Sequence, residues 1–272
     1  MENDEFLKAK LEEYYNARNT DFELSLDKPD PLFALKKAID DKNDFIDEIA
    51  VICALLAYGS AREILKTLLK LDFCILGDER AILGYDFPLY RFQKSDDIKM
   101  LFLAMNGIIK NGGIKGIFVE SYRKAKTNND YIAGPKFPVI CGINAMILAL
   151  NTHIKKISSR DISKGLQFLI GRKATNPRTS SPLKRWNLFL RWLVRKDNID
   201  LGIWEDCVSK ADLILPLDTH TFRLSQKLGL LTRKSYDLQS AIEVTENLGR
   251  FCFDDPVKYD FALYRLGQER IL

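Results

Sequence analysis

Histidine is nearly missing from this 272-residue chain, which has two, His153 and His220. Its five cysteines, Cys53, Cys74, Cys141, Cys207 and Cys252, are an odd number and contain no Cys-x-x-Cys pair. With so few clustered soft ligands, neither a zinc site nor a four-cysteine iron–sulfur cluster can be assembled from recognisable spacing, so no metal or cofactor is expected. The cysteines read as reduced core thiols. Long apolar runs are absent too: Ile49 to Ala57 and Ile143 to Leu150 fall far short of the roughly 20 residues that span a bilayer. The opening Met1-Glu-Asn-Asp-Glu is acidic, unlike a signal peptide. These absences, with 46% hydrophobic and 29% charged residues, predict a cytoplasmic, monomeric globular protein.

The net charge of +4 conceals an asymmetry. Residues 1–50 carry 7 basic and 14 acidic side chains, whereas residues 160–196 carry 10 basic side chains and one acidic, Asp161. Such a block suits a polyanion, because each phosphate neutralised releases counterions, although basic blocks also occur as solvated faces.

Helical periodicity dominates, strand signals are few and short, and the fold class expected is all-α. Phe45 to Ala57 has helical apolar spacing and is broken by Tyr58-Gly59; Ser60-Ala-Arg-Glu63 fits a capping box that restarts the chain as a second helix. Further helices are expected over 98–110, 114–126, 162–170, 183–196, 221–228, 238–250 and 256–268. The stretch 127–138, with Asn128-Asn129 and Gly134-Pro135, reads as a loop or insertion.

Two helix starts carry candidate chemistry. In Leu213-Ile-Leu-Pro-Leu-Asp-Thr-His220 a carboxylate, Asp218, ends a wholly apolar run at or near an N-cap. It is either a plain cap or a functional acid held where a charge is costly. In Ser180-Ser-Pro-Leu-Lys-Arg-Trp-Asn, Ser181 suits a cap, Pro182 suits the first helical position, and Lys184 falls in the first turn, where a cation opposes the helix dipole. Lys184, Asn187, Arg191 and Arg195 share one face, a polar cationic ridge opposite Trp186, Phe189, Leu190 and Leu193. The ridge reads either as an ordinary solvated face or as a phosphate-binding one. Trp186 and Trp192 read as core. Tyr259 and Asp260 can line a cleft, but with Phe261 and Leu263 beside them they read as mainly structural, a buried Asp260 capping a helix or pairing with an arginine.

A helix-leading lysine and a later apolar-backed aspartate resemble the active-site pair of the helix-hairpin-helix DNA glycosylase superfamily. More specifically, Ala54-Leu-Leu-Ala-Tyr-Gly59, Lys184 to Arg195, Ile214-Leu-Pro-Leu-Asp-Thr-His220 and Asp255-Pro-Val-Lys-Tyr-Asp-Phe-Ala-Leu263 resemble signature segments of a bacterial family, classed as a domain of unknown function, related to those glycosylases. The resemblance implies two helical lobes around a cleft, approximately 1–44 plus 221–272 and 45–220, that bends double-stranded DNA and flips out a base. It implies a DNA-repair glycosylase with lyase activity, in which Lys184 attacks C1′ to form a Schiff base and Asp218 steers its deprotonation or stabilises the cationic sugar. Arg178, Ser180, Ser181, Arg185, Arg191, Arg195, His220 and Arg223 are the DNA-binding residues expected. His220 also has a simpler reading, a local hydrogen-bonding residue in a first helical turn.

The chain departs from the superfamily pattern where hairpin glycines usually lie two and four residues before the lysine: Pro182 and Ser180 stand there. The lysine-to-aspartate interval, 34 positions, is longer than in the commonest members, and the C-terminal iron–sulfur motif of the endonuclease III branch is absent. The alternatives are a non-catalytic DNA-binding protein on the same scaffold and a helical interaction module.

Overall fold

The computed structural model describes residues 2–128, 137–158 and 161–269, and within them every regular element is helical. The helices are α1 (Glu2–Arg18), α2 (Pro31–Asp40), α3 (Ile46–Leu55), α4 (Ala61–Leu68), α5 (Glu79–Gly84), α6 (Ser95–Ile109), α7 (Gly113–Asn128), α8 (Val139–Ile157), α9 (Lys164–Ile170), α10 (Lys184–Val194), α11 (Thr219–Lys227), α12 (Leu238–Gly249) and α13 (Asp260–Glu269). No helix among the described residues is long and apolar enough to cross a membrane.

Backbone contacts divide the chain into two compact units. One comprises Leu24–Asp130 and Ile140–Lys173, the other Met1–Glu23, Tyr131–Val139 and Ala174–Leu272. These boundaries differ from the lobes expected at 44/45 and 220/221. Helix α2 packs on α3 and α4, which draws residues 31–40 into the unit they were expected to leave. Buried ion pairs tie α10 to the start of α13, which draws residues 174–220 into the unit containing the C-terminal helices.

The first unit is built around α3. Every residue from Ile49 to Ala57 is buried, so this helix is apolar on all sides and sits inside its neighbours rather than on a surface. Ser60 then caps α4 by accepting from the Glu63 amide at 3.3 Å, as the tetrad predicts. Glu48, on the first turn of α3, is buried and accepts the Ile114 amide at 2.8 Å, closing an orphan donor at the start of α7. Burial pushes its carboxyl above the ordinary range, with the amide opposing.

In the second unit Trp192, Trp204, Phe189 and Tyr259 are fully buried. Each contributes roughly 2–3 kcal/mol by leaving water. Trp204 meets Phe189 edge-on at 5.2 Å. Helix α1 is fastened to the segment before α13 through Glu12, which accepts from Lys258 at 2.7 Å and from the Tyr259 hydroxyl at 2.6 Å.

Helices α1, α2, α5 and α8 were not anticipated, and α7 continues two residues past Lys126 to Asn128. Most of the loop expected at 127–138, residues 129–136, lies outside the described residues. The last helix starts at Asp260 rather than Pro256. Cys53 is wholly buried, but Cys74 is exposed and Cys141, Cys207 and Cys252 are only half-buried, so the expectation of five core thiols holds at one position.

Candidate active site

Helix α10 does not begin as its sequence suggests. Neither Ser181 nor Pro182 opens it: the N-cap is Leu183, a buried residue in the left-handed region at φ 53° and ψ 31°, with no side-chain cap. That conformation costs a leucine on the order of 1–2 kcal/mol. Two contacts stabilise the arrangement. Asn187 Nδ2 donates to the Pro182 carbonyl at 3.0 Å. The preceding segment is held on the first turn of α12, whose Leu238 and Gln239 amides donate to the Ser180 and Pro177 carbonyls at 2.9 and 3.0 Å. Lys184 therefore leads α10 from a fixed, strained turn, and it is half-buried.

Asp218 is the N-cap of α11. One oxygen, Oδ1, accepts from the His220 and Thr221 amides, each at 2.8 Å. The five residues before it, Leu213 to Leu217, are all buried. Two further bonds hold this approach, from the Leu215 amide to Thr245 Oγ1 at 2.9 Å and from the Tyr236 hydroxyl to the Leu217 carbonyl at 2.8 Å. Burial pushes the Tyr236 hydroxyl well above its usual range, and the Asp218 charge adds to this.

The residue that connects these helix starts is Asp260, the first residue of α13, only 3% exposed. Its Oδ2 accepts from Arg191 Nη1. Burial raises its proton affinity above the ordinary carboxylate range. Arg191 opposes that rise, the Asp218 anion adds to it, and the Lys184 cation opposes it. Lys184 and Asp218, at the N-termini of α10 and α11, thus each lie within electrostatic reach of Asp260 at the start of α13. Helices α11 and α13 cross closely, and a Cβ on Gly267 would approach that of His220 to 3.2 Å.

The ridge of α10 has the expected period and the opposite exposure. Arg191 and Arg195 are 3% and 4% exposed. Arg191 Nε donates to Asp200 Oδ1 at 3.2 Å in addition to its bond with Asp260. Arg195 donates to Asp255 at 2.9 Å, to Asp197 at 3.0 Å, and to Asp200. A guanidinium enclosed by carboxylates has no open donor fork for a phosphate, so these two residues are corrected from DNA contacts to interior ion pairs. Asn187, between Lys184 and Arg191 on the same face, is 1% exposed and its Oδ1 has no hydrogen-bond partner.

The other predicted contacts remain on the outside or near it. Arg178, Ser181, His220 and Arg223 are exposed, while Ser180 and Arg185 are half-buried. The backbone around Arg178 is ordered by Asn176, whose Oδ1 accepts the Arg178 amide at 2.9 Å. Among the described residues no group of three His, Cys, Asp or Glu side chains converges as a metal site would require. Sequence reasoning treated Asp260 as structural. The available signal was its place among Tyr259, Phe261 and Leu263, where an isolated carboxylate must find a buried partner.

Residues 30–269 match the family described as "Protein of unknown function (DUF2400)". The chain belongs to this family. The match covers most of both compact units, leaving out α1, and includes Lys184, Asp218 and Asp260. No curated protein and no solved structure matches the chain.

Proposed function

We propose that this DUF2400 protein is a DNA base-excision enzyme, a glycosylase with lyase activity, on a helix-hairpin-helix glycosylase-like fold. Lys184 serves as nucleophile and Asp218 as its acidic partner. What supports the reading is that Lys184 and Asp218, 34 positions apart in sequence, each bear electrostatically on the buried carboxyl of Asp260. A Schiff base requires an amine nucleophile and a carboxylate that can stabilise positive charge on the sugar; in this reading the half-buried Lys184 is the amine and Asp218 the carboxylate. The exposed cations Arg178 and Arg223, with Arg185, are the phosphate contacts in this reading.

One observation favours the alternative, a DNA-binding protein without base excision: Asp218 Oδ1 is fully used as a helix cap. Borohydride trapping on duplexes carrying an abasic site, 8-oxoguanine, uracil or an alkylated purine separates the two. The enzyme reading expects a trapped covalent complex that disappears in Lys184→Ala. Binding without trapping or base release from any duplex selects the scaffold reading.

A further inference from the structure

The turn before α6 displays rings and cations that the site described above does not use. Tyr90 and Gln93 exchange both backbone hydrogen bonds, at 3.2 and 2.9 Å, so Arg91 and Phe92 form the tip of a two-residue turn. Three further bonds fix it in place. The Tyr90 hydroxyl donates to the Tyr58 carbonyl, Gln93 Nε2 donates to the Gly165 carbonyl of α9 at 3.1 Å, and Asp97 Oδ2 accepts the Lys94 amide at 2.9 Å. Arg91 stands at φ 54°, a conformation disfavoured for a residue with a Cβ. Its side chain crosses Gly59 so closely that a Cβ there would come within 2.5 Å of Nη1, and its guanidinium lies 5.7 Å from the Tyr58 ring centroid.

This frame presents an aromatic cluster to water. Phe92 of the turn and Phe168 of α9 meet at 4.6 Å, and Tyr58 meets them at 5.5 and 5.0 Å. Phe92 is nevertheless 54% exposed and Phe168 42%. The segments that carry the rings, 58–62, 89–94 and 163–173, hold six cations, Arg62, Arg91, Lys94, Lys164, Arg172 and Lys173, and no acid. All six are exposed, and none forms an ion pair among the described residues. Exposed rings framed by unpaired cations suit a polyanion that carries planar groups, whereas an apolar protein face offers those cations no partner. We propose that this patch is a stacking surface for single-stranded DNA, with Phe92 and Phe168 meeting unpaired bases and Arg91 and the neighbouring cations meeting phosphates. Every residue of it belongs to the unit built around α3. The choice of DNA over RNA rests on the function proposed above; the stacking surface involves neither Lys184 nor Asp218.

The test is fluorescence anisotropy of the full chain with a labelled oligodeoxycytidylate of about 12 nucleotides, titrated at several salt concentrations. Phe92→Leu and Phe168→Leu keep apolar bulk without a ring, and each is expected to weaken binding roughly tenfold while remaining folded. Phe92→Trp, which keeps a stacking ring, should bind as the wild type does. Arg91→Gln is expected to lower the slope of log affinity against log salt by about 0.7. Wild-type affinity in both leucine variants overturns the proposal. Tighter binding of the matching oligoribocytidylate, weakened by the same variants, overturns the choice of DNA. Dimers that Phe92→Leu dissolves, with no oligonucleotide bound, overturn the proposal in favour of a second copy of the chain.

Because the rings pack on one another, a leucine variant can fail to fold, and a second measurement leaves the sequence intact. Ultraviolet cross-linking of the wild type to the oligodeoxycytidylate, read by mass spectrometry, is expected to attach it to peptides containing Phe92 or Phe168. Cross-links confined to other peptides overturn the surface. The two readings fail separately. Weakened binding in Phe92→Leu with no complex trapped on any duplex sinks the enzyme and leaves the stacking surface; a complex trapped through Lys184, with oligonucleotide binding unchanged in both leucine variants, sinks the surface and leaves the enzyme.

Discussion

At the level of single residues, Asp218 performs one task that is visible and another that is proposed, and substitutions can divide them. Removing the acceptor in Asp218→Ala is expected to cost about 1 kcal/mol of stability in denaturant titrations, since two α11 amides lose their partner. Asp218→Asn keeps an acceptor of nearly equal capping strength, so its stability should fall by no more than a few tenths of a kcal/mol. If Asp218 acts only as a cap, Asp218→Asn should also trap DNA as the wild type does; as the acidic partner of Lys184, the asparagine variant should lose trapping while remaining folded. Arg191 presents the opposite case, a side chain with several partners and no surface. Arg191→Met leaves Asp260 without its cation and Asp200 with Arg195 alone, and is expected to destabilise by roughly 3–5 kcal/mol. An exposed phosphate-binding arginine would show a loss near zero in the same thermal or urea experiment.

At the level of elements, helix starts recur as the places where charge meets the interior. Glu48 closes the amide end of α7, and its burial makes the folded protein bind that proton more tightly than the unfolded chain. The sign follows from its raised affinity. Its favourable contribution is complete at acidic pH, below the unfolded value, and is lost as pH rises through the folded value. Glu48→Gln keeps an acceptor for the Ile114 amide without the charge. The variant is expected to lose part of the stability decline between acidic and neutral pH, measured as denaturation midpoints at several pH values. A decline as steep as the wild type's would show that Glu48 does not cause it. The start of α10 follows a different rule: with no side-chain cap and a leucine at φ 53°, it is held by Asn187 and by the first turn of α12. Asn187→Ala should therefore lower the melting temperature and, if Lys184 is the nucleophile, reduce trapping as well.

At the level of the whole molecule, the cationic block of residues 160–196 divides into interior and exterior charge. In the proposed reading DNA binding responds to the exterior part and to the exposed Arg223 beyond the block. Arg178→Gln and Arg223→Gln are each expected to reduce the slope of log affinity against log salt by about 1. Neutralising Arg191 or Arg195 should instead affect folding, measured by the melting temperature, with no specific change in the slope for whatever fraction remains folded.

The sequence alone determined the helical class, because a 3.6-residue apolar period and helix caps are local properties. Asp218 was legible as a cap, Ser60 as the start of α4, and the shared face of Lys184, Asn187, Arg191 and Arg195 as a face. Periodicity places side chains on the same side of a helix and carries no information about what covers that side. Only the tertiary structure decided that the arginines meet Asp200, Asp255 and Asp260 in the interior, since those acids lie 5 to 69 positions away in sequence. The same limit concealed Asp260 at the candidate site. Its partner Arg191 and its neighbours Lys184 and Asp218 belong to other helices, and a pairing across such intervals is set by how the helices pack, which no local pattern of residues records.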